Sequence, residues 1–169
     1  MTMSVSIVIP TYRREQVLID SIHYLRALHP QADEIIIVDQ SEQHEPSTSE
    51  ALQAWHDAGA IRWVRLTQPS ITGAMNTGLL EARSEIVLFL DDDIIPDANL
   101  IAAHVQAQAE SRCNIVAGQV LQPGEEVLAE PPETGEFLFR SGKRAWVYEL
   151  IGCNFSVNKA AALKLGGFD

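Results

Sequence analysis

A single α/β domain, a mostly parallel sheet flanked by helices, is the fold class that this 169-residue sequence predicts. The first observation is a set of short Val- and Ile-rich runs at 5–9, 34–38, 61–66, 86–90 and 115–121, which read as strands covered on both faces. The second is that segments with helical spacing separate the first four, and strand-helix alternation implies parallel strands joined by right-handed crossovers. An apolar content of 46% lets a chain of this length bury about two thirds of its unfolded surface in one core. No repeat, low-complexity tract or linker divides it, so residues 1–169 are expected to form one domain.

The first run, Val5 to Ile9, meets Pro10, which lacks an N–H and is expected to stop the ladder. Val17, Leu18, Ile22, Leu25 and Leu28 then recur at steps near three and four, as on one face of a helix. After the second strand, Glu34 to Val38, comes a second stripe of Ala51, Leu52, Trp55 and Ala58. The third strand, Ile61 to Leu66, precedes a third stripe of Ala74, Gly78, Leu79 and Ala82, and Ile86 to Leu90 is the fourth strand. Pro96 and Asp97 open the next helix, with Asp97 as N-cap and Leu100, Ile101, Val105 and a half-buried His104 on its inner face. From Gln122 to Gly142 prolines, glycines and glutamates break the pattern into a long surface excursion, of the kind that often covers a site. Arg144 to Leu150 and Gly152 to Val157 read as extended, and Asn158 caps a closing helix that runs through Leu165 and stops at Gly166-Gly167.

The formal charge of −11 and the pI near 4.8 argue against a nucleic acid or an anionic lipid surface as partner, because nothing here would release phosphate counterions. A phosphorylated ligand would need local cations: a metal plus placed basic groups such as Arg13, Arg14, Arg83 or Lys143. Cys113 and Cys153 lack Cys-x-x-Cys spacing and read as buried free thiols of a reducing compartment, while the five histidines are scattered without ligand spacing. The N-terminus has no basic region ahead of its apolar run, and no stretch approaches about 18 consecutive apolar residues, so a cytoplasmic product without a transmembrane segment is expected.

Three carboxylates, Asp91, Asp92 and Asp93, follow the fourth strand at the edge where an open α/β sheet presents groups to a ligand. Clustered negative charge calls for a divalent metal, a bound hydroxyl pair or a raised pKa. Alternation lets Asp91 and Asp93 face one ligand, which reads as a Mg²⁺ or Mn²⁺ site for the phosphates of a nucleotide. A solvated acidic turn capping the next helix accounts for the same spacing. Pro10, Thr11 and Tyr12 end the first strand without a G-x-G-x-x-G turn, which counts against a dinucleotide enzyme. Thr11 and Tyr12 offer a hydroxyl and an aromatic edge for a base, or form an ordinary turn. Asp39, ending the second strand, accepts the imide N–H of a uracil or thymine, or caps a turn. From Gln68 to Gly78 a loop opens a helix with small residues that permit close approach, and Asn76 there donates and accepts near a nucleotide.

Together, Ser6 to Tyr12, Val38-Asp39, Gly73 to Gly78, Phe89 to Asp93 and Leu165 to Asp169 resemble, in order and spacing, the family-2 glycosyltransferases of the GT-A fold, across essentially the whole chain. The resemblance implies a nucleotide-diphospho-sugar transferase-like domain. In it Pro10, Thr11, Tyr12 and Asp39 surround the base, Asp91 or Asp92 lies near the ribose and diphosphate, and Asp93 binds the metal. It further implies an inverting transfer from a UDP-, GDP- or TDP-linked sugar to an acceptor saccharide, lipid or polyol. Two departures accompany it. Met75 stands where the family commonly has Arg, and the family's catalytic base lies beyond Asp169, so the acceptor-binding part is expected to be largely absent. An inactive nucleotide-sugar-binding or assembly module is the alternative. The Asp91-x-Asp93 spacing also superficially resembles haloacid-dehalogenase-type phosphatases, but there the motif ends the first strand, whereas here three strand-helix units precede it.

Overall fold

The apolar runs become strands β1 (Val5–Thr11), β2 (Glu34–Asp39), β3 (Arg62–Arg65), β4 (Ile86–Leu90), β5 (Ile115–Ala117) and β6 (Asn154–Asn158). Between and after them lie helices α1 (Gln16–Arg26), α2 (Pro46–Asp57), α3 (Ile71–Glu81), α4 (Leu100–Glu110) and α5 (Lys159–Leu165). The structure is a computed structural model that describes residues 3–110, 114–129, 139–147 and 150–169.

The strands form one sheet in the order β3-β2-β1-β4-β6-β5. Its first four members are parallel, as the crossovers require, whereas β6 runs antiparallel to both β4 and β5. Strand alternation sorts the core into two layers. Val5, Ile7, Ile9, Ile35, Ile37, Leu88 and Leu90 face Leu18, Ile22 and Leu25 of α1, Leu52 of α2 and Ile101 of α4. On the other face Val8, Ile36, Val38, Val87 and Phe89 pack with Ala74 and Leu79 of α3 and Phe155 of β6. Each fully buried Ile, Leu or Phe contributes about 1.5–3 kcal/mol, so these two layers carry most of the driving force.

Several boundaries differ from those expected. The β1 ladder continues past Pro10, with Pro10 opposite Val38 and Thr11 opposite Asp39. Thr11 turns its carbonyl toward β2, where it accepts from the Gln40 N–H (3.0 Å). Pro10, one residue earlier, therefore turns its nitrogen toward β4, where pairing has already ended at Val8, and no donor is missed. Strand β5 stops at Ala117 because β6 begins at Asn154, and beyond it the Val120 N–H is donated to the Phe139 carbonyl (2.9 Å) instead. Residues 144–147 join no ladder, and Arg144 pairs instead with Glu110 of α4; the rest of the extended run expected there includes 148 and 149, outside the described residues. His104 is not half-buried but 3% exposed. Asp97 accepts from the Asn99 N–H (2.8 Å), an Asx-type turn that leads into α4. Asn158 caps α5 by accepting from the Ala161 N–H (3.0 Å), and Gly166 ends it in the left-handed region (φ 100°).

Gly78 is where α3 touches β1. A Cβ there would stand 2.2 Å from Cγ1 of the fully buried Val8. Gly78→Ala gains up to about 1 kcal/mol of helix propensity, but overpacking a β-branched residue that cannot move costs about 1–3 kcal/mol. Net destabilisation is expected, read as a lower urea midpoint; a stabilised variant would contradict this packing.

At the amino-terminal ends of β1 and β2, Glu34 accepts from Ser6 Oγ (2.6 Å), the Arg83 N–H (2.6 Å) and Arg62 (3.3 Å). Burial pushes its carboxyl pKa up, but these donors outweigh burial and hold it below the ordinary 4.5. A depressed folded pKa contributes stability that is present above the unfolded value and lost as pH falls through the folded one. Urea midpoints measured from pH 5 downward should therefore fall less steeply in Glu34→Gln than in the parent, and identical slopes would contradict the assignment.

Candidate active site

From β1 the chain moves outward to β2 and β3, then returns to β4 on the other side of β1, so the carboxyl ends of β1 and β4 flank the point where strand order reverses. Ligands of open α/β sheets bind at that point. Asp91, Asp92 and Asp93 leave β4 there, and the period of two separates them. Asp92 continues the side of Leu88 and Leu90 toward α1, and its side chain is 10% exposed. It accepts from Thr11 Oγ1 (2.6 Å) and pairs with Arg14 Nε (3.2 Å). Ser21 of α1, itself buried, donates from Oγ to the Asp92 carbonyl (3.0 Å) and accepts from the Ile94 N–H (3.1 Å), which fixes the turn. Asp91 and Asp93 are left exposed.

The turn thus divides into a buried Asp92 and an exposed Asp91 and Asp93. Among the described residues, no three His, Cys, Asp or Glu side chains come together in a way that holds a metal. A hydroxyl and a guanidinium meet the charge of Asp92 instead. Desolvation, then the charges of Asp93 and Asp92, push the Asp91 carboxyl pKa up, with Arg14 opposing. Burial likewise raises that of Asp92 against Thr11 and Arg14. The donor set that remains, two hard carboxylate oxygens with mutual repulsion to relieve, fits Mg²⁺ or Mn²⁺, which are held by one or two carboxylates and completed by phosphate and water oxygens.

Toward β2 the turn after β1 places Arg13 in the left-handed region (φ 55°), with its N–H donated to Ser41 Oγ (2.8 Å) and its guanidinium 4.9 Å from the Tyr12 ring centre. Tyr12 is 40% exposed, and an opening of about 380 Å³ lined by Arg13, Glu15, Glu42 and Gln43 lies at the ends of β1 and β2. A larger hollow of about 640 Å³, which Arg83 and Arg62 line, sits at the opposite edge of the sheet and contains none of the aspartates that end the strands. Arg83 is thus remote from the acidic turn, whereas Arg14 is part of it.

Asp39 is wholly buried and its carboxylate already accepts from three protein donors: the Ser41 N–H (2.8 Å), His44 Nε2 (2.8 Å) and Trp63 Nε1 (2.9 Å). His44 reaches on to Glu15 through Nδ1 (3.2 Å), and Glu15 also accepts from the Glu45 N–H, which ties the start of α1 to the start of α2. Asn76 turns both amide atoms onto the backbone of Phe168, donating to its carbonyl (2.7 Å) and accepting from its N–H (2.8 Å). The Phe168 ring packs edge-on against Phe89 and Phe155. Gly167, at φ 84°, passes so close that a Cβ would lie 2.3 Å from Asn76 Oδ1. Met75 packs against the apolar layer of that face.

Asn154 accepts from His104 Nε2 (2.9 Å) and donates to the Gln119 carbonyl (2.9 Å), so it braces β6 against α4. The other ring nitrogen of His104 meets Ser156 Oγ (2.8 Å), and burial lowers its pKa. Cys153 is a free thiol, half-buried rather than buried, and desolvation with the charge of Asp91 pushes its pKa up to about 11. Cys113 lies outside the described residues.

The profile of Glycosyl transferase family 2 matches residues 6–165. The chain belongs to that family. The family 2 domain also superposes on solved glycosyltransferases, which establishes the GT-A fold. The mannosyltransferase PcManGT of Pyrobaculum calidifontis, solved with GDP-Man and Mn²⁺, matches with TM-score 0.74 and 19% identity over 100% of this chain and 48% of its own. TarS of S. aureus with UDP-GlcNAc gives 0.72 and 17% over 98% and 48%. GalNAc-T7 with UDP, GalNAc and Mn²⁺ gives 0.73 and 16% over 99% and 37%. The family 2 domain thus spans half the length of these structures or less, and no curated protein matches its sequence.

Ser21, Ser41 and His44 support the site but are not among the sequence-derived candidates. Ser21 was detectable as a polar residue on the inner stripe of α1, between Leu18 and Ile22. Nothing local marks Ser41 or His44, because their partners lie on other segments.

Proposed function

We propose that residues 1–169 form the nucleotide-sugar-binding domain of an inverting, metal-dependent glycosyltransferase of the cytoplasm. The observation that carries this reading is the exposed pair Asp91 and Asp93 at the strand-order reversal, with Asp92 turned inward onto Thr11 and Arg14. Asp93 and Asp91 hold Mg²⁺ or Mn²⁺, which when bound supplies Lewis-acid stabilisation of the charge on a departing nucleoside diphosphate. Pro10, Thr11 and Tyr12 border the base, and Asp92 lies near the ribose and diphosphate. Asp39, sealed by His44 and Trp63, shapes the floor of that pocket, and reaches a base only if one of those side chains swings aside. A carboxylate general base activates the acceptor hydroxyl.

Calorimetry with UDP, GDP and TDP, each with and without Mn²⁺, tests the reading. Binding of one of them that requires Mn²⁺ and is lost on adding EDTA is expected; no metal-dependent binding of any would overturn it. A transfer assay with the matching donor distinguishes an enzyme from a binding-only module, since turnover abolished by Asp93→Ala belongs to the former alone.

A further inference from the structure

Arg14 holds the acidic turn through two unequal contacts. Its Nε lies 3.2 Å from Asp92 Oδ1, and the other oxygen of that buried carboxylate is fixed by Thr11 (2.6 Å). Its outer nitrogen lies 3.5 Å from Asp93 Oδ2, at the limit of a hydrogen bond, between side chains that are 48% and 47% exposed. One end of the guanidinium is anchored and the other is loosely held in solvent. The neighbouring Arg13 is committed elsewhere, its guanidinium lying over the Tyr12 ring.

From this asymmetry, and resting on the nucleotide-sugar reading above, we propose that Arg14 is a counter-ion shared between the acidic turn and the diphosphate. Without ligand it neutralises Asp93. With ligand it keeps Nε on Asp92 and turns its outer nitrogen from Asp93 to a phosphate oxygen, a planar fork suited to that exchange. Two consequences have opposite signs. While Arg14 occupies Asp93 it competes with any metal ion for the same oxygens and adds like charge beside them, so it weakens binding of the metal alone. Once a diphosphate is present, the same residue strengthens binding.

The test uses the whole chain and its Arg14→Gln and Arg14→Lys variants. Free Mn²⁺ is titrated by its electron paramagnetic resonance signal, and UDP, GDP and TDP by calorimetry at saturating Mn²⁺. Arg14→Gln is expected to bind Mn²⁺ alone roughly two- to fivefold tighter, the scale of a half-exposed charge pair. It should bind the preferred nucleotide about tenfold weaker, the scale of one charge-assisted hydrogen bond. Arg14→Lys should fall between on the second measurement, and urea midpoints should fall modestly in both variants, because the buried Asp92 loses its guanidinium partner. A merely structural role would weaken both affinities. The inference is overturned if Arg14→Gln loosens Mn²⁺ alone, or leaves nucleotide affinity untouched in a chain whose parent binds Mn²⁺ and nucleotide. Should the parent bind no nucleotide with Mn²⁺, the nucleotide-sugar reading fails, and this inference falls with it.

Discussion

Asp39→Ala is expected to lower folding stability by about 3–5 kcal/mol, the range for removing one partner from a buried charged network. The carboxylate sits at zero exposure and receives the Ser41 N–H, His44 and Trp63. Taking it away leaves those three donors without their acceptor at a position of zero exposure, and each unsatisfied donor costs about 1–3 kcal/mol. The effect should also spread, because His44 links Asp39 to Glu15 and Glu15 receives the Glu45 N–H at the start of α2. Asp39→Asn keeps one accepting oxygen but turns an NH₂ toward remaining donors, so an intermediate loss is expected. Urea unfolding of the three proteins measures this. A loss below about 1 kcal/mol for Asp39→Ala, the value of an ordinary exposed pair, would show that the network is not holding the base side of the site together.

Asp93→Asn should have the opposite profile, with a large effect on ligand binding and almost none on the fold. Asp93 is half-exposed, and its charge is the second largest cause of the raised Asp91 pKa after burial. Removing that charge relieves repulsion and removes only a loose contact with Arg14, so apo stability should change by no more than about 0.5 kcal/mol. Mn²⁺-dependent nucleotide binding should weaken by at least about a hundredfold, since leaving a bound charge without its partner costs about 3 kcal/mol or more. The pH dependence follows from the direction of the Asp91 shift. A carboxyl raised above its ordinary 3.8 binds more protons in the folded than in the unfolded chain, so its contribution to apo stability is lost as pH rises through that window. Mn²⁺ affinity runs the other way and falls as pH drops into it, because protons compete for the same oxygens. Asp93→Asn should flatten the stability profile on the alkaline side of the ordinary 3.8. Retained metal-dependent binding, or a collapse of apo stability, would contradict the assignment of Asp93.

Elements that depend on local pattern were legible from residue order alone. The Val- and Ile-rich runs of β1, β2 and β4 announce strands buried on both faces, and the spacing of Leu18, Ile22 and Leu25 announces the face α1 buries. Asn158 and Gly166 mark both ends of α5, because a cap and a left-handed turn depend on the residues themselves. Features set by neighbours were not legible. Pro10 stays in its ladder only because β4 has already ended beside it, and β6 runs antiparallel to β4 although its own residues carry no mark of direction.

The same division runs through the site. Residue order by itself determined that carboxylates end β4 and β2 and that Thr11 and Tyr12 end β1, since strand ends follow from the apolar runs before them. Only the tertiary structure decided their roles: Asp92 inward on Thr11 and Arg14, Asp39 sealed beneath His44 and Trp63, Asn76 clamping Phe168, and Arg14 rather than Arg83 at the acidic turn. A carboxylate or an amide has the same hydrogen-bonding capacity wherever it stands in a sequence. Which partner fills that capacity is settled by segments up to 92 positions apart that meet only when the sheet closes.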